Sequence, residues 1–586
     1  MARAAALAAA ATLLVSRAAA AQPRLATTYG DVLGETVDGV NIFRSIPFAA
    51  PPVGARRFAN PVPPAPWAAP RDVRAYPTPC AQLKLLGPLL YGGEDCLQLS
   101  VFAPANADRL PVLFWIFGGA YALGDSEELG WYDGAALAKA RNVVVVAANY
   151  RVGPFGFMAL DALRAEAGAG GSTGNAALLD QVLALEWTRD NVAGAGGDAG
   201  RVTIFGESAG AFSVGWHLAS PRSAGLFHAA ILESGTLAAE QFFTPVADAI
   251  AFNTLYAAAL GCGGAGAAQL ACLRALPADG VLEALGDDLN PDWPFKNQTR
   301  PPIVLPALAP VMPWGPAIDG VALPAIPQHA VEAGAFNRVP VIMGTNRNEG
   351  SIFIPIFVLI VRGFEFPPRP QDIPALIEHA FDMYDAAVVR AATLRVLPTY
   401  PLSAYDGDSW AQASDMLTHA FFSCATRRAT RALAKAGVNT WVYQFSHDLH
   451  WPEVQALPEL GDYHTSELDF VFNHSLFLLN HTFNKADADV SRAFQAWWAN
   501  FAASGDPNVG GAPTPLDWPR FAGPAGEASA QIQVPFSITT DLLAEECAAW
   551  DGFQAALDAS GTRDFGARKA AVRGRLRARA ARKLRE

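Results

Sequence analysis

Charge is scarce in this chain: Asp, Glu, Lys and Arg make up only 17% of its 586 residues, against 51% hydrophobic residues. A composition so poor in charge excludes a mainly disordered or highly solvated polymer and supplies ample material for a large packed core. Repeats are absent too. The 51 glycines and 44 prolines lie scattered between apolar runs, with neither a collagen period nor a repeat of roughly 20 to 50 residues, so fibres and solenoids are excluded. Beyond the first residues no apolar run reaches the roughly 18 to 20 residues needed to span a bilayer. The best, Ile352 to Val361, is about half that length and contains Pro355. The expectation is a soluble mature protein without a transmembrane segment.

Positive charge is also short, 43 Lys and Arg against 55 Asp and Glu, a net charge of −12 that argues against a nucleic-acid-binding body. What there is of it gathers at the end, where residues 568–586 hold nine Lys or Arg and one Glu. Such a segregated basic tail, taken here as 561–586, suits an anionic surface or partner, or simply a solvated terminal helix. At the other end, MARAAALAAAATLLVSRAAAAQPR combines a basic start, an apolar run from Ala4 to Val15 and small residues up to Ala21. It reads as a secretory signal peptide over 1–21, with a buried helix or an organelle-targeting segment as the competing reading.

Cysteines number only six. In an oxidising compartment they favour disulfides, and they are spaced as two short loops, Cys80 to Cys96 and Cys262 to Cys272, with Cys424 and Cys547 far apart; spacing alone does not choose among fifteen connectivities. Three sequons, at Asn297, Asn473 and Asn480, are compatible with the same route but arise often by chance.

Against these absences stands a strong local pattern. PVLFWIFGG (111–119) and NVVVVAANY (142–150) have the length and β-branched or aromatic content of buried strands. GNAALLDQVLALEWTRDNVAGAGGD (174–198) places Leu178, Val182, Leu185 and Val192 near helical spacing before glycines that suit a C-cap. Val202 to Phe205 then predicts a third strand and Ala209 onward a second helix. This alternation predicts an α/β fold with a mostly parallel sheet covered by helices on both faces. Between that strand and helix lies Gly206-Glu207-Ser208-Ala209-Gly210, a G-x-S-x-G sequence in the strand–turn–helix context that gives it meaning. The turn must lift a serine hydroxyl clear of the sheet, and glycines flank it where a Cβ would collide.

With this motif in view the chain resembles the type-B carboxylesterase family, which includes cholinesterases and bile-salt-type lipases. The resemblance runs from residue 30 to about 555 and rests on FRSIPFAAPPVGARRF (43–58), EDCLQLSVFAP (94–104), WIFGGAYALG (115–124), NYRVGPFGF (149–157), LLDQVLALEW (178–187), FGESAG (205–210), GLFHAAILESG (225–235) and ASGDPN (503–508). It implies one large α/β-hydrolase domain over 22–560, against the prior that so long a chain divides. It also implies the disulfides Cys80–Cys96, Cys262–Cys272 and Cys424–Cys547.

A neutral serine hydroxyl is a poor nucleophile and needs a base, which needs an orienting carboxylate. The resemblance places the nucleophile at Ser208, the base at His464 in GDYHTSELDFVF, just ahead of an apolar strand-like stretch, and the acid at Glu349 in VIMGTNRNEGSIF, after a strand-like Val339 to Met343. Their order matches α/β-hydrolases. Asn348 stands where many relatives have Asp, so no second carboxylate competes beside Glu349. An oxyanion requires fixed N–H donors; matching positions assign Gly119, Ala120 and Ala209. By the same analogy Ser234 supports the catalytic residues from behind, and Arg57–Glu94 and Arg151–Asp180 form ion pairs. His447 and His450 form an H-x-x-H pair, but no nearby carboxylate or thiolate completes a plausible zinc set, and they are read as structural.

The implied function is a secreted serine esterase cleaving small-molecule carboxylic esters through an acyl-enzyme intermediate, with no metal and no organic cofactor. A lipase acting on long-chain acylglycerols is the alternative, since Leu83, Leu85, Leu86, Leu89 and Leu90, with Ile352 to Val361, suit either a wall for a long acyl chain or core packing. A non-catalytic adhesion member is the third reading. The complete set Ser208, Glu349 and His464 speaks against it.

Overall fold

The computed structural model describes residues 22–83, 90–168, 170–282, 314–355, 367–381, 384–475, 481–523 and 526–560. The leader (1–21), the basic tail, sequons Asn297 and Asn480, Leu85, Leu86, Leu89 and the run from residue 356 to 361 lie outside them.

Eleven strands form the central sheet. In chain order they are β1 (Glu35–Val37), β2 (Val40–Pro47), β3 (Gln98–Pro104), β4 (Leu110–Ile116), β5 (Val144–Ala148), β6 (Gly197–Glu207), β7 (Ala229–Glu233), β8 (Val341–Asn346), β9 (Thr440–Phe445), β10 (Ala528–Ile532) and β11 (Ser537–Thr540). Their spatial order is β1-β2-β3-β5-β4-β6-β7-β8-β9-β10-β11. From β5 through β10 every neighbouring pair is parallel. The flanks, β1-β2, β2-β3, β3-β5 and β10-β11, are antiparallel.

The parallel middle follows from the runs seen in sequence. All five residues of β5 are buried, which requires cover on both faces of the sheet and explains an uninterrupted Val-Val-Val-Ala-Ala. Each fully buried Val contributes about 1.5–3 kcal/mol of apolar transfer. Trp115 of β4 packs its ring 4.9–5.0 Å from those of Tyr132, Phe205 and Phe472, joining the sheet to the helical layer. The core is contiguous from Leu25 to Leu557.

Two local expectations are corrected. The helix expected across 174–198, α1, spans Ala176–Asn191 and is followed by a 3₁₀ turn, Val192–Ala195, with Gly196 in the left-handed conformation (φ 79°). The stretch after His464, expected to be strand-like, is a short helix, Leu468–Phe472, with all five residues buried. A brief apolar run enclosed on every side carries no period by which to tell strand from helix.

The disulfides are Cys80–Cys96, Cys262–Cys272 and Cys424–Cys547, and no described cysteine is free. The third joins helix Cys424–Lys435 to the C-terminal helix Ala544–Ser560. Arg57 pairs with Glu94 at 2.5 Å, and Arg151 with Asp180 at 2.7 Å, both in buried settings. No helix among the described residues is long and apolar enough to cross a membrane.

Candidate active site

Ser208 stands between β6 and the helix α2 (Ala209–Ala219), at the carboxyl end of the parallel strands. Its backbone, φ 55° and ψ −121°, is one that a residue with a Cβ seldom adopts, and the surroundings hold it there. The Ser208 N–H donates to the Glu233 carbonyl at 2.9 Å, and the Ser208 carbonyl accepts from Phe212 N–H at 3.0 Å. The flanking glycines are obligatory for a steric reason: a Cβ on Gly206 would lie 2.6 Å, and one on Gly210 2.0 Å, from the Ile116 carbonyl oxygen. The serine is half-buried, while its neighbours in the turn are buried.

The loop after β4 passes over this turn. Gly119 has φ +97°, and a Cβ there would come within 2.3 Å of the Leu123 carbonyl; Ala120 follows at φ 55°. Tyr121 continues at φ 57°, so three consecutive residues of this loop hold positive φ. Gly118 closes the contact, since a Cβ there would meet the Glu207 carboxylate at 2.7 Å and the Ser208 Cβ at 3.1 Å. Ala209, the first residue of α2, is 1% exposed and adds a helix N-terminal N–H. Gln82, just inside the first disulfide loop, braces this loop by accepting from Gly124 N–H at 2.7 Å and donating to the Gly124 carbonyl at 2.9 Å.

His464 and Glu349 meet although 115 residues separate them: His464 Nδ1 donates to Glu349 Oε2 at 2.6 Å, and both side chains are buried. Glu349 Oε1 in turn accepts from Asn346 N–H at 2.8 Å. The other imidazole nitrogen, Nε2, lies 3.1 Å from Glu207 Oε1. Burial works to lower the His464 pKa, but the charges of Glu207 and Glu349 outweigh it and lift it from 6.5 to about 9. Burial holds Glu207 well above the ordinary carboxylate value, with the charge of His464 acting against it. The Phe353 and Phe422 rings flank the imidazole at 5.0 and 5.2 Å, so Phe353, in the apolar run after Glu349, packs on the histidine.

Sequence reasoning passed over two buried carboxylates. Glu207 was in plain sight as the first x of G-x-S-x-G, and Glu467 lies three residues after His464, one helical turn on. Glu467 Oε1 accepts from Ser234 Oγ at 3.2 Å, so the serine behind the site acts through this carboxylate. Burial, followed by the charge of Glu349, raises the Glu467 pKa to about 7. The signal available in the sequence was acidic residues in otherwise apolar contexts, where an unpartnered charge is too costly to be incidental. His447 lies elsewhere, with Nε2 2.8 Å from the Asp487 carboxylate. Among the described residues no group of three or more His, Cys, Asp or Glu side chains is placed to hold a metal ion.

A mostly parallel sheet with a serine on a strained strand-to-helix turn, a glycine-rich loop over it and a His–carboxylate pair beyond defines an α/β-hydrolase. Comparison with known proteins narrows the class. Residues 21–550 match the model of the carboxylesterase family. The chain is 35% identical over 535 residues to the human protein named cocaine esterase, covering 86% of each chain. It is 31% identical to acetylcholinesterase 1 of Caenorhabditis elegans over 84% of this chain and 80% of that one. Among solved structures, a PNB esterase superposes with a TM-score of 0.72 at 30% identity, covering 90% of this chain and all of that one. A carboxylesterase of Geobacillus stearothermophilus does so with the same TM-score and identity, over 90% and 99%. The chain belongs to the carboxylesterase family and is a carboxylic ester hydrolase.

Proposed function

We propose that Ser208, His464 and Glu349 carry out ester hydrolysis through an acyl-enzyme. The observation that carries this reading is the 2.6 Å hydrogen bond from His464 Nδ1 to a fully buried Glu349. That bond keeps the Nδ1 proton in place, so that in the neutral imidazole Nε2 is the nitrogen that accepts a proton. The Ser208 Oγ attacks the ester carbonyl carbon as His464 Nε2 takes its proton. The developing oxyanion is received by the N–H groups of Gly119, Ala120 and Ala209. Collapse expels the alcohol, which leaves with the proton from His464. Water, deprotonated by His464, then attacks the acyl carbonyl, and Ser208 departs with its proton restored. Glu349 stabilises the imidazolium that forms twice per turnover.

The substrates in this reading are small uncharged esters, handled by a single hydrolase domain over 22–560. A cleaved leader over 1–21 delivers the chain to a secretory compartment where the three disulfides form, and the tail over 561–586 stands apart from catalysis. Asn473, exposed at the end of helix Leu468–Phe472, is the described sequon available to a glycosylating host.

The test is Ser208→Ala, which removes one oxygen from a turn whose backbone is set by glycines and by the Glu233 carbonyl. Hydrolysis is lost while the melting temperature stays near that of the parent; substantial residual turnover would remove Ser208 from its role. An organophosphate labels Ser208 covalently, and a chelator leaves activity unchanged. Strong inhibition by the chelator contradicts the metal-free reading.

A further inference from the structure

Asn346 ends strand β8 and is wholly buried. Its backbone N–H donates to Glu349 Oε1 at 2.8 Å. Its side-chain amide donates one proton to the Tyr463 carbonyl at 2.9 Å and the other to Glu467 Oε2 at 2.5 Å. Tyr463 immediately precedes His464, and Glu467 follows it by one turn. One residue therefore grips the carboxylate partner of the imidazole and the chain on both sides of the imidazole. The side-chain oxygen of Asn346 has no partner among the described residues, so the residue serves this place through its two donors.

That requirement is narrow. The Tyr463 carbonyl can only accept and the Glu467 carboxylate accepts when ionised, so the position suits a short neutral side chain with two N–H protons. Asp offers none when ionised, Ser and Thr offer one, and Gln is a methylene too long. The surrounding ties between the two loops run mostly through backbone or solvent. Asn348 N–H donates to the Asp462 carbonyl, and Asp462 N–H to Asn348 Oδ1, each at 3.2 Å. Arg347, 44% exposed, meets Asp462 at 2.9 Å. Of these ties between the two loops, the one from the Asn346 amide reaches the buried Glu467 carboxylate, which also accepts from Ser234 Oγ.

We propose that Asn346 is a positioning residue for hydrolysis: by donating to Tyr463 and Glu467 while its N–H holds Glu349, it sets the His464 imidazole against its carboxylate partner. This rests on the Ser208, His464 and Glu349 reading above. Asn346 touches no substrate, so its effect falls on the proton-transfer steps and leaves binding alone.

Two near-isosteric variants of the full chain test this, Asn346→Leu and Asn346→Asp, with turnover expressed per serine titrated by an organophosphate. Each lowers kcat per titrated site about tenfold or more, the loss expected when hydrogen bonds to charged or buried acceptors are removed, while KM stays within about twofold. Asn346→Asp adds a carboxylate to the cluster and moves the acid limb of the kcat profile to higher pH; Asn346→Leu adds no charge and causes no such upward move. A kcat per titrated site equal to that of the parent in both variants overturns the proposal, as does a rise in KM at constant kcat. Failure of both to yield folded protein also overturns it, because Asn346 then serves the fold and not the reaction. Should Ser208→Ala retain turnover, the underlying reading fails instead. With Ser208→Ala inactive and the Asn346 variants like the parent, only this inference falls.

Discussion

Replacing Glu207 by Gln isolates the least anticipated contact of the site. The Glu207 carboxylate lies 3.1 Å from His464 Nε2, the nitrogen that accepts the Ser208 proton in the proposed reaction. A full charge at that distance favours the imidazolium by about 5 kcal/mol at an effective dielectric of roughly 20, equivalent to about four pH units. Burial opposes this by raising the Glu207 pKa, so the realised effect is smaller. The His464 pKa of about 9, against an ordinary 6.5, records what remains after burial has pulled it down and Glu207 and Glu349 have pushed it up. Gln is isosteric and uncharged, leaving Glu349 as the main charge acting on the imidazole. The sign follows: with one negative charge gone the imidazolium is less stable, the pKa falls, and the neutral base persists to lower pH. The acid limb of kcat/KM therefore shifts down by about one to two pH units in Glu207→Gln. The assay is kcat/KM for an uncharged butyrate ester across the stable pH range, with active sites titrated at each end. An acid limb that stays in place, or moves up, refutes the assignment of Glu207 as the group that tunes His464.

The disulfides differ in weight. Cys424–Cys547 encloses 123 residues and Cys262–Cys272 only ten, so in the chain-entropy picture their loss costs about 5 and about 3 kcal/mol. Denaturation of Cys547→Ser and Cys272→Ser variants measures the difference, and equal losses would refute this ranking. Gly210→Ala forces a Cβ to 2.0 Å from the Ile116 carbonyl oxygen, which neither strand nor turn can yield. It destabilises the protein by about 1–3 kcal/mol or disables the turn, read by calorimetry and ester turnover, and a silent substitution would show that the turn is softer than its geometry. Choline esters are poor substrates. The loop between Cys80 and Cys96 contains no Trp and a single aromatic residue, Tyr91, so it offers no tryptophan face for a cation–π contact of about 2 kcal/mol or more. A higher kcat/KM for butyrylcholine than for an uncharged butyrate ester would overturn this.

The chain itself determined what depends on local chemistry. β4 through β6 were legible because buried parallel strands need unbroken apolar runs, and the turn at Ser208 because its glycines answer a steric demand that no other residue satisfies. The cradle proposed at Gly119 and Ala120 follows the same logic, since a set of N–H groups on one loop is a property of backbone close in sequence. The histidine loop was less legible: Leu468–Phe472 is helical because of what surrounds it, and an enclosed apolar pentapeptide has no polar side to reveal its period. What tertiary structure alone decided is the electrostatics. Glu207, Glu349 and Glu467 come from three distant segments, and an acidic residue in an apolar context does not say which histidine it faces. Only their convergence on one imidazole, in a medium too dry to screen them, raises the His464 pKa and gives the Asn346 amide two acceptors to hold. Charge interactions depend on distance and burial, and neither is a property of neighbours in sequence.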